Sequence, residues 1–272
     1  MKRIIAATIL LSLLVLLGPT SSWGAILVRD YELNGSFADA LGGPAINPNG
    51  GTLNPTNYSF GPNQGLNVLN AAVPHDYSPS DYSIETTFSF SQLNSFRKIL
   101  DFKDRTVDAG LYNSNGALDF FPLPAGPPGA FQPNVFAHLV VTRDVATGQF
   151  VGYVNGVQQI SFTDSTAMAV FTAANNIMWF FQDDLAVPNE ASGGVVDFIK
   201  IYKGALTAAE VRALEQAVPE PTTLLLTGFG LGTLAVSAWR RRRGSAAAGS
   251  SSPLFSPPSA GQGPRPSRAW CR

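Results

Sequence analysis

The nine residues Tyr82-Ser83-Ile84-Glu85-Thr86-Thr87-Phe88-Ser89-Phe90 alternate with period two. Tyr82, Ile84, Phe88 and Phe90 fall on one face, and Ser83, Glu85, Thr87 and Ser89 on the other. Successive side chains of an extended chain point to opposite faces, so this pattern predicts an antiparallel strand with one buried face. Asn115-Gly116 separates Asp108–Tyr112 from Ala117–Phe121, and Asn155-Gly156 separates Phe150–Val154 from Val157–Phe162. Asn-Gly supplies both positive-φ residues of a type I′ turn, so each pair of runs predicts a hairpin. Val135–Thr142, Ile177–Phe181 and Val195–Tyr202 are further strand candidates, the last two apolar on both faces. Composition agrees: 26 Gly, 20 Pro and only 14% charged residues describe a turn-rich β chain.

One helix is predicted at the end of this region. Thr207 and Glu210 form a Thr-x-x-Glu capping box, with Leu206 and Val211 as its hydrophobic staple. Val211 and Leu214 give a single apolar stripe, too narrow for a bundle. Many strands and one terminal helix predict an all-β fold, a two-sheet antiparallel jelly-roll sandwich with one short C-terminal helix, over residues 25–217. No repeat of solenoid or propeller type occurs.

The charges are unevenly placed. The whole chain has 18 Lys+Arg and 19 Asp+Glu, a net of −1, yet Ala25 to Val218 alone carries −9. Its basic complement sits at the two ends, in Lys2-Arg3, Arg240–Arg243, Arg265, Arg268 and Arg272. An acidic body between basic, apolar ends excludes nucleic acid as a partner and describes a protein built for export. Cys271 is the only cysteine, so disulfides and Cys-based metal sites are excluded.

Residues 1–24 read as a signal peptide: Lys2-Arg3, the apolar Ile4–Leu17, a Gly18-Pro19 break, then small residues ahead of cleavage after Gly24. The rival is an uncleaved anchor, but a stretch of that size spans only about 21 Å as a helix. Near the other end, Thr222–Trp239 carries no charge and would span about 27 Å, enough for a transmembrane helix. Arg240, Arg241, Arg242 and Arg243 follow at once and would hold the cytoplasmic side. Val218-Pro219-Glu220-Pro221 stands directly before the span. These three features in this order over 218–243 resemble the PEP-CTERM sorting signal of exopolysaccharide-producing Gram-negative bacteria. The resemblance implies an exosortase-type processing enzyme as partner, transient inner-membrane anchoring, and release to the envelope, cell surface or extracellular matrix. A permanent single-span anchor is the alternative. That signal usually ends soon after its basic cluster, whereas here a Pro/Gly/Ser/Ala-rich stretch continues over 244–272, predicted to be disordered.

The body has a resemblance of its own. Phe136-Ala137-His138-Leu139-Val140-Val141-Thr142-Arg143-Asp144, leading through Thr147-Gly148 to Tyr153-Val154-Asn155-Gly156, is similar to the core of laminin-G-like, concanavalin A-like domains. Asp197–Thr207 is similar to the last strand of these domains and its lead into the helix, and Tyr31–Asp39 with Gly42-Gly43 to their opening. The fold hosts lectins, adhesion modules and glycosidases, so function must come from a site.

Catalytic chemistry finds little support. A retaining glycosidase needs two close carboxylates, and the Glu-x-Asp-x-(x)-Glu run of the superfamily's glucanases is missing. Glu85 is expected to face outward with Thr87 beside it, and His138 to be a structural residue. No Gly-x-Ser-x-Gly or Cys/His arrangement appears, and His75 and His138 are too few for a zinc site. Asp183-Asp184, Glu190 and Asp197 are the acids that cluster, and hard oxygen ligands from adjacent loops suit calcium. Calcium-binding relatives in the laminin-G-like and pentraxin-like families imply the same. The competing reading has Asp183-Asp184 solvating a turn and Asp197 supporting its loop. Tyr112, Phe121 and Trp179 form an aromatic candidate for stacking on sugar rings, against the alternative that they fill the core. The sequence therefore predicts a secreted or surface-displayed, non-catalytic binding module of exopolysaccharide or biofilm matrix, taking glycan or matrix protein. A structural matrix protein without a discrete ligand and a divergent glycoside hydrolase are the alternatives.

Overall fold

The computed structural model describes residues 24–69, 77–171 and 177–217. The signal peptide up to Trp23, His75, the Val218-Pro219-Glu220-Pro221 motif, the apolar span, the arginine cluster and the tail all lie outside the described residues. In chain order the strands are β1 (Ile26–Tyr31), β2 (Asn47–Asn49), β3 (Thr52–Leu53), β4 (Tyr58–Phe60), β5 (Gly65–Val68), β6 (Tyr82–Phe90) and β7 (Phe96–Asp101). They continue as β8 (Gly110–Ser114), β9 (Ala117–Phe121), β10 (Ala137–Arg143), β11 (Gln149–Val154), β12 (Val157–Thr163), β13 (Met178–Phe180) and β14 (Gly194–Lys203), followed by helix α1 (Ala208–Ala217). Among the described residues no helix is long and apolar enough to cross a membrane.

Two antiparallel sheets form a jelly-roll-like sandwich. The larger has the order β12-β11-β10-β6-β14-β4-β3, with β1 also on β14; the smaller has the order β2-β5-β13-β7-β8-β9. Both Asn-Gly hairpins are present, with φ of 51° and 88° at Asn115 and Gly116 and of 50° and 70° at Asn155 and Gly156. Aromatic rings fill the space between the sheets: Phe60 stacks on Phe181 at 4.6 Å, and Phe120 meets Phe150 edge-on at 5.1 Å. Burying so much aromatic area in one cluster makes a staple unnecessary at this size.

The strand β6 corrects one expectation. All nine of its residues are buried, including the polar face that the alternation assigns to solvent. Its neighbours β10 and β14 flank it, and α1 lies over the outer side of the sheet, where Val140, Tyr153, Tyr202, Leu206 and Val211 form a second, small core. Ser83 ties this layer together, accepting from Leu206 N–H at 2.8 Å and donating to Gly204 O at 2.9 Å. The helix begins as predicted: Glu210 Oε2 accepts from Thr207 N–H at 2.7 Å, and Thr207 Oγ1 from Glu210 N–H at 3.3 Å.

Candidate functional site

The outward face of the smaller sheet gathers the chemistry-bearing side chains. Register places Lys98 opposite Tyr112 and Tyr112 opposite Asp119, and sets Trp179 between Asn67 and Asp101, with Asn47 beyond Asn67. Paired residues share a face, so these side chains project to the same side.

Two loops fold over the middle of that face. Asp101 shapes the first, its Oδ1 accepting from Lys103 N–H at 2.9 Å and Arg105 N–H at 2.7 Å. Phe181 starts the second: its φ of 63° turns the chain so that its ring enters the core rather than sharing a face with Trp179. Arg105 joins the loops by donating from Nε to Asp183 O at 2.6 Å. Glu190 N–H donates to Asp183 Oδ2 at 2.7 Å, and Lys98 N–H to Glu190 O at 2.8 Å.

Under these loops lies an acidic cluster. One carboxylate oxygen from each of Asp108, Asp184 and Glu190 lies within 4.8 Å of the others. Lys98 is fully buried beside them, its Nζ 2.9 Å from Asp184 Oδ2, 3.5 Å from Asp101 Oδ2 and 4.1 Å from the Tyr112 ring centre. The Tyr112 hydroxyl stands 3.1 Å from both Asp108 Oδ1 and Asp184 Oδ2 but has a single proton to donate. Burial works against ionisation of Asp184, yet the Val187 N–H and Lys98 outweigh it and lower its pKa. Burial raises Asp183, with the Asp184 charge adding to it. Glu190 is pushed up to about 7, by burial first and then by Asp108, Asp183 and Asp184. Asp183 Oδ1 is buried without a hydrogen-bond partner.

Beside the cluster, Trp179 is half-buried and oriented from two sides. Its Nε1–H donates to Asp104 Oδ1 at 2.8 Å, and the Arg105 guanidinium lies 5.4 Å from its ring centre. Asn67 and the exposed Asn47 continue the row across the next two strands, linked by Asn47 Nδ2 donating to Asn67 Oδ1 at 3.4 Å. Asn49 Nδ2 donates to Gln182 Oε1 at 2.8 Å and closes that end.

A family model described as the concanavalin A-like lectin/glucanases superfamily matches residues 69–212, just over half of the chain. The chain belongs to this superfamily. A PEP-CTERM protein-sorting motif occupies residues 217–243, which implies processing by an exosortase-type system and makes this superfamily member an exported protein sorted via the cell envelope. No curated protein matches the chain. Among solved structures the fold is shared with Trypanosoma rangeli sialidase in complex with 2,3-difluorosialic acid, at a TM-score of 0.55 and 19% identity over 71% of this chain and 33% of that one. A structure of botulinum neurotoxin type C has a TM-score of 0.55 at 12% identity, covering 72% of this chain and 52% of that one. Domain 4 of an extracellular arabinanase from Geobacillus stearothermophilus, in complex with arabinotriose, has a TM-score of 0.49 at 20% identity, covering 71% of this chain and 99% of that domain. This chain thus spans about a third of the sialidase and half of the neurotoxin chain.

The sequence-derived residues divide accordingly. Asp184 and Glu190 meet in the cluster, and Asp183 is joined to Glu190 through its Oδ2 and the Glu190 N–H. Asp197 does not join them: it sits at a bulge between Val196 and Phe198 of β14, in the other sheet, where Glu32 and Lys200 act on it. Asp108 takes the vacant place. Asp39 supports the opening turn, bonded to the N–H groups of Asp30, Leu41 and Gly43. Of the aromatic trio, Trp179 and Phe121 are each half-buried on this face. Tyr112 is fully buried and serves the acidic cluster, and Phe121 packs edge-on against Phe96 at 5.6 Å. Lys98, Asp104, Arg105, Asp108, Asn47 and Asn67 are additions that sequence reasoning missed.

Proposed function

We propose that the chain is a non-catalytic glycan-binding module of the exopolysaccharide or biofilm matrix, carried to the cell surface by its sorting motif, with calcium at the acidic cluster. The row Asn47–Asn67–Trp179 carries this reading. An indole held rigid by Asp104 and Arg105 offers a ring face for a sugar, and the adjacent amides both donate to and accept from its hydroxyls.

The carboxylates support binding rather than hydrolysis. Asp108, Asp184 and Glu190 are close enough for a glycosidase pair, and Asp184 and Glu190 have pKa values pushed in opposite directions. However, the ionised partner, Asp184, has no exposed side-chain surface. Its Oδ1 accepts from Ala186 and Val187 N–H and its Oδ2 faces Lys98 and Tyr112, so the group is enclosed and neither oxygen can approach a sugar carbon.

The same cluster suits an oxygen-preferring cation. Ca²⁺–oxygen distances near 2.4 Å put its ligands within about 5 Å of each other, and Asp108, Asp184 and Glu190 meet that limit. One lysine does not neutralise these three carboxylates. Calcium would fix both loops beside Trp179 and would let an acidic module hold an anionic glycan.

Trp179→Ala tests the reading on arrays of bacterial polysaccharides. The native protein is expected to retain at least one glycan, and the variant to bind it roughly tenfold more weakly or worse, with Tm little changed. Arrays left empty by the folded, calcium-loaded native protein would sink the glycan reading in favour of a structural matrix role.

A further inference from the structure

The helix α1 is held to the outer side of the larger sheet by two unlike contacts. One is apolar, with Val211 fully buried and Leu214 partly buried against Val140, Tyr153 and Tyr202. The other is a polar chain that begins where the Tyr202 hydroxyl donates to Glu85 Oε2 at 2.5 Å. Glu85 Oε1 stands 2.9 Å from His138 Nε2, and His138 Nδ1 stands 2.6 Å from Glu215 Oε2 in the last turn of α1. Each imidazole nitrogen therefore faces a carboxylate. A neutral imidazole has one N–H and one lone pair, so only the imidazolium donates to both.

The two carboxylates differ in their freedom to leave. Glu85 lies on a central strand, buried, and keeps the Tyr202 hydroxyl whatever His138 does. The Glu215 side chain is 32% exposed and reaches water by a rotation. Loss of the proton thus falls on the helix contact.

We propose that His138 and Glu215 form a protonation-controlled latch, which pins the last turn of α1 while His138 is charged and frees it when His138 is neutral. Its position gives it a consequence, because the sorting motif begins at residue 217, the last residue of α1. The latch sets whether the chain enters that motif from a fixed or a frayed helix end. No basic side chain stands in the last turn to anchor it otherwise.

The other charged and titratable groups packed here do not replace the imidazolium. Lys200 on β14 acts on Glu85, and Arg212 on α1 acts on Tyr153 and donates to Ala208 O at 3.1 Å. Tyr153 and Tyr202 both have raised pKa values, by burial first, and stay neutral. Burial alone would lower the pKa of His138, but hydrogen bonds to Glu85 and Glu215 and their charges outweigh it, leaving it above the ordinary 6.5. The latch is therefore closed below about pH 6.5 and opens as pH rises through the raised value.

Hydrogen exchange on the full chain tests this, read at the amides of residues 212–217 and corrected for intrinsic rates. The native protein should exchange there about tenfold faster once His138 has lost its proton, as followed by the ring's NMR titration, with β6 and β10 unchanged. In Glu215→Gln the step should vanish and the His138 titration should move down, with the fold intact by Tm. Equal protection on both sides of the His138 titration would overturn the latch, as would a step that persists in Glu215→Gln.

Discussion

Lys98 makes the acidic cluster possible and also leaves it unbalanced. A single buried ammonium faces Asp101 and Asp184, and Asp108, Asp183 and Glu190 crowd behind them. Asp184 takes most of the available stabilisation, so the surplus charge falls on Glu190, pushed up to about 7 from 4.5. An acid with a raised native pKa destabilises the fold once it ionises. The folded state should therefore lose stability as pH rises from about 4.5 to about 7 in EDTA. Calcium favours the carboxylate and should reverse this, raising Tm at about pH 8. Glu190→Gln should show a smaller loss and no calcium gain. His138 adds a loss of the same sign at higher pH, so the difference between native and variant melting curves isolates Glu190. Identical melting in EDTA and in calcium at about pH 8 would remove calcium from the proposed function. Only part of this cluster was readable in the chain. Asp183-Asp184 announces itself as a pair, but Asp108 arrives from a distant loop. Lys98 sits next to Ile99-Leu100, where a lone lysine reads as a solvated strand residue rather than a buried counter-ion.

At the scale of elements, local signals were the reliable ones. Both Asn-Gly turns and the α1 capping box are decided by residues within four positions of each other, and each formed where the chain placed it. Thr207→Ala should then cost about 1 kcal/mol, measurable as a lower urea midpoint at unchanged slope, while Thr207→Ser should stay close to native. A Thr207→Ala protein as stable as native would mean that the Val211 contact and the Glu215–His138 pair hold the helix without its cap. Signals that depend on distant partners failed in identifiable ways. The polar face of β6 has the pattern of a solvated strand, but α1 lies over the outer side of the sheet and Glu85 becomes part of the His138 network. Asp197 lies on β14 in the larger sheet, away from the acidic cluster, and the positive φ of Phe181 goes with a ring turned into the core. Each of these departures follows from a register shift or a packing partner that no window of sequence contains.

For the whole molecule, charge separates the working protein from the translated chain. The net of −1 belongs to all 272 residues, whereas 25–218 alone carries −9. A sandwich of that charge repels anionic polymer at a distance of roughly one Debye length, about 8 Å at physiological salt. Salt-dependent attraction to acidic polysaccharide would thus require calcium at the Asp108–Asp184–Glu190 cluster, whereas recognition at Trp179 and the flanking asparagines should be nearly salt-independent. Processing decides which charge state meets the matrix. If the exosortase-type system removes the apolar span, Arg240–Arg243 leave with it, and the exported form should need more salt than the full chain to elute from an anion exchanger. Intact mass measurement of the exported protein gives the cleavage position directly. The expected C-terminus precedes Arg240, near the Val218-Pro219-Glu220-Pro221 motif. An exported form that still carries Arg243 would show the span to be a permanent anchor, and the arginines would then offset four of the nine negative charges.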